Sequence, residues 1–251
     1  MHISIVSRPG SKAVTKIVKS TKLTRYSSKC DIIVNYGLAG EKFQAFKTKH
    51  PGYYKKPMLN ASIGYSKYKV VKIASEIGIK TPKTSLTLPT GAKKESFLTK
   101  RLHSQGGVGI AIAKSTGTIS GKYYQEFIKN RKYELRVHGF LWEEMENWKI
   151  QKRFGKEGEI AWNFHNGGRF QSIQNTSAKI FSEAKEITEK ILKRLNMAFG
   201  AADFVVTDKN ELLFLEINSA PGFTDFSEKI YIDAFANLTK MSKQDILKFC
   251  K

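Results

Sequence analysis

The stretch LFLEINSAPGF, residues 213–223, joins an apolar strand to polar side chains at its end. Side chains two positions apart on a strand point to the same face, so Glu216 and Asn218 present oxygen atoms side by side. A hard cation such as Mg²⁺ requires oxygen ligands of this kind. The segment therefore predicts a magnesium site where this strand ends.

A second apolar strand precedes this one. Residues 202–207 and 212–217 form two strands of a predicted hairpin, joined by a turn at 208–211. Asp203 on the first strand would supply a third oxygen from across the ladder. Asp203, Glu216 and Asn218 together describe a site for one or two Mg²⁺ ions shared with nucleotide phosphates. The alternative is a polar patch at the strand end, in which Glu216 and Asn218 only pair with nearby lysines.

Upstream, the segment KRLHSQGGVGI, residues 100–110, follows a predicted strand. Glycines let backbone N–H groups approach and cradle a phosphate, while Lys100 adds a positive charge. No helix pattern follows and no Gly-Lys-Ser/Thr occurs, so the loop is neither a Rossmann fingerprint nor a Walker loop. A plain hairpin is the alternative interpretation.

Two more segments have polar side chains in suggestive positions. In YQEFI, residues 124–128, a polar pair and an apolar pair at a strand end would offer backbone groups to an adenine edge, with Phe127 and Ile128 near the ring. An ordinary edge strand is the alternative.

In NFHNGG, residues 163–168, Asn163 would reach a phosphate or a metal ion, whereas His165 is more often structural than catalytic.

The rest of the chain predicts a mixed α/β (α+β) protein. Apolar strands at 3–6 and 31–35, with a helix over 11–23 between them, indicate a small parallel unit. A Gly-, Pro- and Tyr-rich loop is predicted around 50–57. A helix begins at Ser66, and short apolar runs between 84 and 140 predict an antiparallel sheet. A long helix over 177–196 and a last helix starting at Ser242 complete the pattern.

Charge is the dominant feature of the composition. The chain has 43 Lys+Arg against 22 Asp+Glu, a formal net charge of +21. Such an excess attracts polyanions, whether nucleic acid, acidic peptides or nucleotide phosphates. The alternative is that lysines only decorate a solvated surface, which the absence of a Lys/Arg run favours.

Neither a membrane nor an export route is predicted. No apolar run approaches the roughly 18 residues of a membrane span, and the first residues lack the basic lead-in of a signal peptide. Cys30 and Cys250 lie at opposite ends and form no metal or disulfide pattern. We expect a cytoplasmic protein.

The order of these segments resembles the ATP-grasp superfamily, most closely the RimK-like glutamate ligases that act on ribosomal protein. The resemblance runs from about Asn60 to Asp225 and includes the Glu-x-Asn-x-x-Pro-Gly signature at Glu216. It implies an ATP-grasp fold with a small N-terminal parallel α/β domain and two α+β subdomains that clasp ATP. The corresponding ranges are 1–60, 61–130 with the Gly-rich loop, and 131–251 with the metal site.

The resemblance also implies roles for individual residues. It assigns metal binding to Asp203, Glu216 and Asn218, and it assigns catalytic contacts to Arg136, Lys152, Arg153 and Asn163. It assigns nucleotide contacts to Lys67, Lys100, Ser104, Gly106, Gly107, Gly109, Gln125, Glu126, Phe127, Ile128, Glu134 and Asn163.

Two features depart from the family pattern. The family often has an arginine two residues before the asparagine of its Asn-x-His-x-Gly-Gly element, and here that place is Ala161. Either Lys152 or Arg153 supplies the charge instead, or turnover is slow. The stretch 141–148, with three glutamates and two tryptophans, is predicted to be an extended hairpin that shapes an acceptor site.

The implied activity is ATP-dependent, ADP-forming ligation of a carboxylate to an amine through an acylphosphate. The implied cofactors are ATP and one or two Mg²⁺ ions, with Mn²⁺ as a substitute. The implied partners are an amino acid or other small carboxylate or amine, and an acidic peptide, protein tail or nucleic-acid-linked acceptor. Relatives of this kind commonly form homo-oligomers. The alternatives are a non-catalytic polyanion (nucleic acid) binding protein with the same fold, and an ATP-grasp phosphotransferase.

Overall fold

A computed structural model describes residues 1–61, 63–104, 108–156, 159–160, 162, 167–173 and 178–250. Within those ranges the chain forms three β-sheets. They lie at residues 3–59, 84–126 and 131–218. None of the helices in the described ranges has the length and apolar character needed to cross a bilayer.

The first sheet is parallel, as predicted. Its strands are β1 (Ile3–Ser7), β2 (Thr24–Arg25), β3 (Ile32–Tyr36) and β4 (Met58–Leu59), in the order β2-β1-β3-β4. Helix α1 (Lys12–Ser20) begins where the Ser11 hydroxyl accepts the Val14 N–H, and it covers one face. Helix α2 (Gly40–Lys49), which the sequence pattern did not predict, and a 3₁₀ turn (Pro51–Lys55) cover the other face.

The second sheet is antiparallel and follows helix α3 (Lys67–Glu76). The α3 helix begins where the Ser66 hydroxyl accepts the Lys69 N–H, and it ends near Gly78, whose φ is +79°. The strands are β5 (Thr84–Ser85), β6 (Phe97–Arg101), β7 (Ala111–Ile112) and β8 (Lys122–Glu126), in the order β5-β8-β6-β7, with a 3₁₀ turn (Lys94–Ser96) before β6.

The third sheet is also antiparallel. Its strands are β9 (Arg131–Phe140), β10 (Lys149–Phe154), β11 (Arg169–Ser172), β12 (Phe199–Thr207) and β13 (Leu212–Asn218), in the order β11-β10-β9-β12-β13. Helix α4 (Lys179–Arg194) packs on β9 and β12. The prediction of one sheet over 84–140 is wrong for its last run. β9 pairs instead with β10 and β12, which come later in the sequence.

The connection between β9 and β10 is not the extended hairpin that the sequence predicted. It contains a 3₁₀ turn (Met145–Asn147), and its tryptophans pack inward, Trp148 buried and Trp142 half-buried. The Trp148 indole N–H donates to the Phe140 carbonyl at 3.0 Å, and that of Trp142 donates to the Ala234 carbonyl at 3.0 Å. Burying these rings folds the connection back onto the protein.

Helices from the end of the chain complete the core of the first sheet. Helix α5 (Asp225–Leu238) and helix α6 (Lys243–Leu247) share a hydrophobic cluster with β1, β3 and α1. The predicted cap of the last helix is present, because the Ser242 hydroxyl accepts the Asp245 N–H at 3.1 Å. Tyr231 and Phe235 of α5 are fully buried in this cluster.

The first sheet also contacts both sides of the β12–β13 hairpin. The Tyr36 hydroxyl donates to the Pro221 carbonyl at 2.8 Å, and the Asn60 side chain accepts the Ala198 N–H at 2.6 Å. Gly37 has a φ of +75°, and a Cβ there would lie 2.3 Å from the Ala220 Cβ. Glycine is therefore required at this close approach. These contacts fix the loop that follows Asn218.

Candidate active site

A cleft of about 770 Å³ opens between the second and third sheets. Many of the side chains that the sequence selected line it: Lys67, Lys100, Ser104, Gln125, Glu126, Phe127, Ile128, Glu134, Arg153, Asp203 and Glu216. Residues 100 or more positions apart in sequence thus meet in one place.

Asp203 and Glu216 lie directly opposite each other on β12 and β13. Asp203 is 2% exposed and accepts two hydrogen bonds from Arg136, both at 2.7 Å, while Arg153 lies 3.4 Å away. Burial by itself would raise the pKa of Asp203, but the charges of Arg136 and Arg153 outweigh it and lower that pKa to about 2. Asp203 is a carboxylate at any physiological pH.

Glu216 is held by a lysine. The Lys67 ammonium lies 2.6 Å from a Glu216 carboxylate oxygen, and the Asn218 amide donates to the other at 3.3 Å. Burial acts to raise the pKa of Glu216, but the charge of Lys67 outweighs it and the pKa lies below its ordinary value. The lysine pairing that was the alternative interpretation is therefore present.

The donor set suits a hard cation. Two carboxylates and an amide oxygen on facing positions of paired strands are ligands of the type Mg²⁺ takes, with phosphates and water completing its shell. Across the described ranges, no group of three His, Cys, Asp or Glu side chains forms a metal cluster. A cation here therefore needs Asn218 and a substrate phosphate. The metal role of these three residues stays a prediction.

Glu134 and Arg153 form a second ion pair in the cleft. They face each other on β9 and β10, and Arg153 Nε donates to a Glu134 oxygen at 2.7 Å. Arg131 lies 3.4 Å from the other oxygen of the same carboxylate. Glu134 is only 4% exposed, so binding of a ribose by this side chain requires these arginines to exchange partners.

The prediction that Lys152 makes a catalytic contact is wrong, because the structure does not bring this residue to the cleft. Neighbouring residues on a strand point to opposite faces, and Arg153 takes the face of Glu134. The Lys152 ammonium instead lies 4.5 Å from the centroid of the Tyr133 ring and 5.6 Å from that of Phe181. Of the two candidates for the missing positive charge, only Arg153 lines the cleft.

Lys100 lies half-buried beside Gln125. Its ammonium donates to the Gln125 side-chain oxygen, and burial lowers the pKa of Lys100 to about 8 even though Glu216 opposes the shift. Gln125 also donates to the Thr84 hydroxyl at 3.4 Å. The Gln125 side chain therefore positions Lys100 rather than facing a ligand.

Only part of the Gly-rich loop lies in the described ranges. Gly106, Gly107, Ala161, Asn163 and His165 fall outside them. Gly109 has a φ of +79°, and a Cβ there would come within 2.7 Å of the Arg101 side chain. It is not among the residues that line the cleft, whereas Ser104 and Ile110 on either side are.

The segment at 124–128 is not an edge strand, because β8 lies between β5 and β6. The Glu126 N–H donates to the Lys83 carbonyl and the Phe127 N–H to the Ser96 carbonyl, both at 2.8 Å. These bonds fix the backbone at the cleft wall and occupy two of its donors. A base edge would have to meet the remaining groups, around Ile128.

Sequence reasoning missed a stack of rings on the same wall. The Arg131 guanidinium lies 4.2 Å from the centroid of the Trp162 ring and 5.4 Å from that of Phe127. Arg131 also donates to the Ile160 carbonyl at 2.9 Å. A Cβ at Gly155 would lie 1.9 Å from the Trp162 ring, so this glycine makes room for the indole. The basic run 129–132 is the only local signal for this stack.

One buried histidine predicts a pH dependence of stability. His138 Nε2 donates to Gln151 at 3.0 Å, and burial lowers the pKa of His138 to about 4. An unfolded histidine titrates near 6.5. Between these values only the unfolded chain binds the proton, so stability falls as the pH falls through this window, by about 2–3 kcal/mol at pH 4.5.

Urea unfolding at pH 7 and pH 4.5 measures this loss. The His138→Gln variant removes the titrating group and keeps a polar side chain of similar reach. The wild type should lose more stability than the variant between the two pH values. Equal losses in the two proteins would show that His138 does not contribute.

Comparisons with known proteins agree on one family and one fold. A sequence profile described as RimK-like ATP-grasp domain matches residues 64–241. A probable alpha-L-glutamate ligase of Histophilus somni is 25% identical over 198 residues, which cover 71% of this chain and 63% of the relative. The match therefore spans less than two thirds of that relative's length.

Two solved structures show similar folds. A RiPP-associated ATP-grasp ligase of Chryseobacterium gregarium, in complex with ADP and a leader and core peptide, superposes with a TM-score of 0.62 at 14% identity. The match covers 96% of this chain and 98% of that one. D-alanine–D-alanine ligase of Bacillus anthracis gives a TM-score of 0.64 at 14% identity, with 99% of both chains covered.

Proposed function

Because this chain belongs to the RimK-like ATP-grasp family, we propose that it is an ATP-dependent, ADP-forming ligase that joins a carboxylate to an amine. The observation that carries the proposal is one cleft with three kinds of group. It brings together opposed carboxylates on β12 and β13, the lysines Lys67 and Lys100, and the buried arginine Arg153.

The chemistry requires positioning and neutralisation of charge. A carboxylate is a poor electrophile until one oxygen becomes a leaving group, and transfer of a phosphoryl group from ATP to it achieves this as an acylphosphate. The amine then displaces phosphate. Lys67 and Lys100 would bind the nucleotide phosphates, while Arg136 and Arg153 would orient the carboxylate and its acylphosphate.

A divalent cation fits the carboxylate end of the cleft. Asp203, Glu216 and Asn218 would hold Mg²⁺, with Mn²⁺ as a substitute, and the bound ion would offset negative charge on the phosphates. Lys67 would then exchange Glu216 for a phosphate oxygen. This exchange keeps every buried charge compensated in both states of the site.

The substrates follow from the relatives. One relative is named a glutamate ligase and a structural neighbour binds leader and core peptides. We therefore propose that this chain adds an amino acid to a peptide or protein. Because the reaction consumes ATP and both cysteines are free thiols, we assign the enzyme to the cytoplasm.

ADP release from Mg-ATP tests the proposal. The purified protein is incubated with each amino acid in turn, with and without peptide acceptors, and the product is identified by mass. Release that depends on one amino acid, with an amide product that carries it, supports the ligase. A phosphorylated acceptor without an amide would instead indicate a phosphotransferase. Binding of Mg-ATP without any release would contradict turnover.

Trp162 should report nucleotide binding by fluorescence. Its ring lines the cleft, whereas Trp148 is 3% exposed and Trp142 is bonded to α5. Titration with Mg-ATP should change the emission of the wild type and leave that of Trp162→Phe unchanged. Trp142→Phe is the matched control and should keep the response. A response that survives in Trp162→Phe would mean that nucleotide binds elsewhere.

A further inference from the structure

The positive charge is concentrated in the first half of the chain. Residues 1–61 contain twelve lysines and arginines against two acids, whereas residues 127–251 contain twenty against seventeen. Lysines and arginines occur at similar frequency in the two segments, so the difference in charge arises from the scarcity of acids in residues 1–61. The first sheet and its helices carry a net charge of +10, nearly half of the total of +21.

The outer side of this region forms a basic surface. We define the α2 surface as helix α2 and the 3₁₀ turn after it, residues 40–56. It holds one acid, Glu41, and five lysines: Lys42, Lys47, Lys49, Lys55 and Lys56. Within the described part of the chain, none of these five lysines forms an ion pair. Their charges are available to a ligand.

Aromatic rings alternate with these lysines. The Lys47 ammonium lies 4.8 Å from the Phe43 ring centroid, and that of Lys55 lies 5.9 Å from the Tyr54 ring centroid. Tyr54 is 69% exposed, although large apolar side chains are usually covered. The α2 surface thus presents ammonium groups and a flat ring to solvent together.

A cavity of about 460 Å³ lies at the start of the 3₁₀ turn of this surface, beside Pro51 and Gly52. Its walls include Tyr26, Lys49 and His50, and the rings of Tyr26 and His50 have centroids 4.6 Å apart. Flat walls next to a lysine suit a planar group that is linked to an anion. A nucleotide has this combination of base and phosphate.

We propose that the α2 surface binds single-stranded nucleic acid. The lysines contact the phosphodiester backbone, one base stacks on Tyr54, and another base enters the cavity, against the wall that Tyr26 and His50 form together. An acidic peptide would satisfy the lysines, but it would leave the exposed ring and the flat-walled cavity without a function. This binding is separate from the ATP cleft and does not depend on the ligase activity.

Fluorescence anisotropy of labelled RNA and DNA strands of about 12 nucleotides, with the intact protein, tests the proposal. Each lysine–phosphate contact on a single strand contributes about 0.7 to the slope of log K against log salt. Neutralising Lys42, Lys49 and Lys55 together to glutamine should therefore reduce the slope by about 2. The matched control neutralises the exposed lysines Lys179, Lys190 and Lys209, and its slope should equal that of the wild type.

A second pair of variants tests stacking. Tyr54→Ala should weaken binding about tenfold, because a base loses its aromatic partner. Leu86→Ala removes another exposed apolar side chain, 43% exposed, and should have no effect. Both sites are exposed, so circular dichroism should show intact folds.

Three results would overturn the proposal. The first is the absence of binding at low salt. The second is an equal loss in the two triple-lysine variants, which would indicate attraction by net charge alone. The third is binding of poly-glutamate or duplex as tight as that of single strands, which would identify a surface for any polyanion.

Discussion

Glu216→Gln should lower ADP release about a thousandfold, because it removes a charged oxygen from the point where phosphate charge must be neutralised. The amide has nearly the same shape as the carboxylate, so steric effects are small. Lys67 loses its partner at 2.6 Å only in the nucleotide-free site, because it would pair with a phosphate oxygen once nucleotide is bound. We therefore expect a large loss in kcat, measured at saturating Mg-ATP and amino acid.

Glu211→Gln is the matched control for Glu216→Gln. It lies near the turn of the same hairpin, its side chain is 50% exposed, and its nearest cation is 3.8 Å away. Release by this variant should equal that of the wild type. If Glu216→Gln kept more than a tenth of the wild-type rate, the site on β13 would not be the metal site.

Asp203→Asn should destabilise the fold by about 3–5 kcal/mol even without metal or nucleotide. Asp203 is 2% exposed and accepts hydrogen bonds from Arg136, with Arg153 at 3.4 Å. Removing the carboxylate leaves the buried Arg153 and the mostly buried Arg136 incompletely paired, and breaking a buried pair from one side has this cost. At about 2–4 °C per kcal/mol the melting temperature should fall by roughly 10 °C.

The measurement is urea unfolding in the presence of EDTA, so that metal binding contributes nothing. Asp208→Asn at the exposed hairpin turn should change stability by less than about 0.5 kcal/mol. The double variant with Asp203→Leu and Arg136→Met should recover most of the loss, because it replaces both partners with apolar groups. A loss below about 1 kcal/mol in Asp203→Asn would show that water already compensates the arginines.

The ATP-grasp fold, predicted from the order of short motifs, is confirmed by the likeness to ATP-grasp ligases. The β12–β13 hairpin was predictable because its signals are local. Alternation places Glu216 and Asn218 on one face, and the turn at 208–211 sets the pairing of the strands up to Phe204 and Phe214. A β-bulge beyond that pair, which the sequence did not predict, shifts the register so that Asp203 lies opposite Glu216. The signals for helix α3 were equally local, since Ser66 and Gly78 mark its limits.

The features that the sequence did not predict depend on contacts between residues far apart in the chain. Strand β10 was not predicted, and without it the opposite faces of Lys152 and Arg153 could not be assigned. The Arg136–Asp203 pair joins residues 67 positions apart, and the Arg131–Trp162 stack joins segments 31 apart. Helix α5 has a capping box at Thr224 and Ser227. Much of its apolar surface faces the first sheet, so its extent depends on tertiary contacts.

The core shared by the two ends of the chain has a consequence for folding during synthesis. Ile3, Val34 and the rest of the first sheet pack against Tyr231 and Phe235. Ribosomes add about 5–20 residues per second, so α5 emerges roughly ten to forty seconds after β1. During that interval the apolar face of the first sheet lacks its native cover. The strands of the first sheet thus leave the ribosome well before the helix that completes their core.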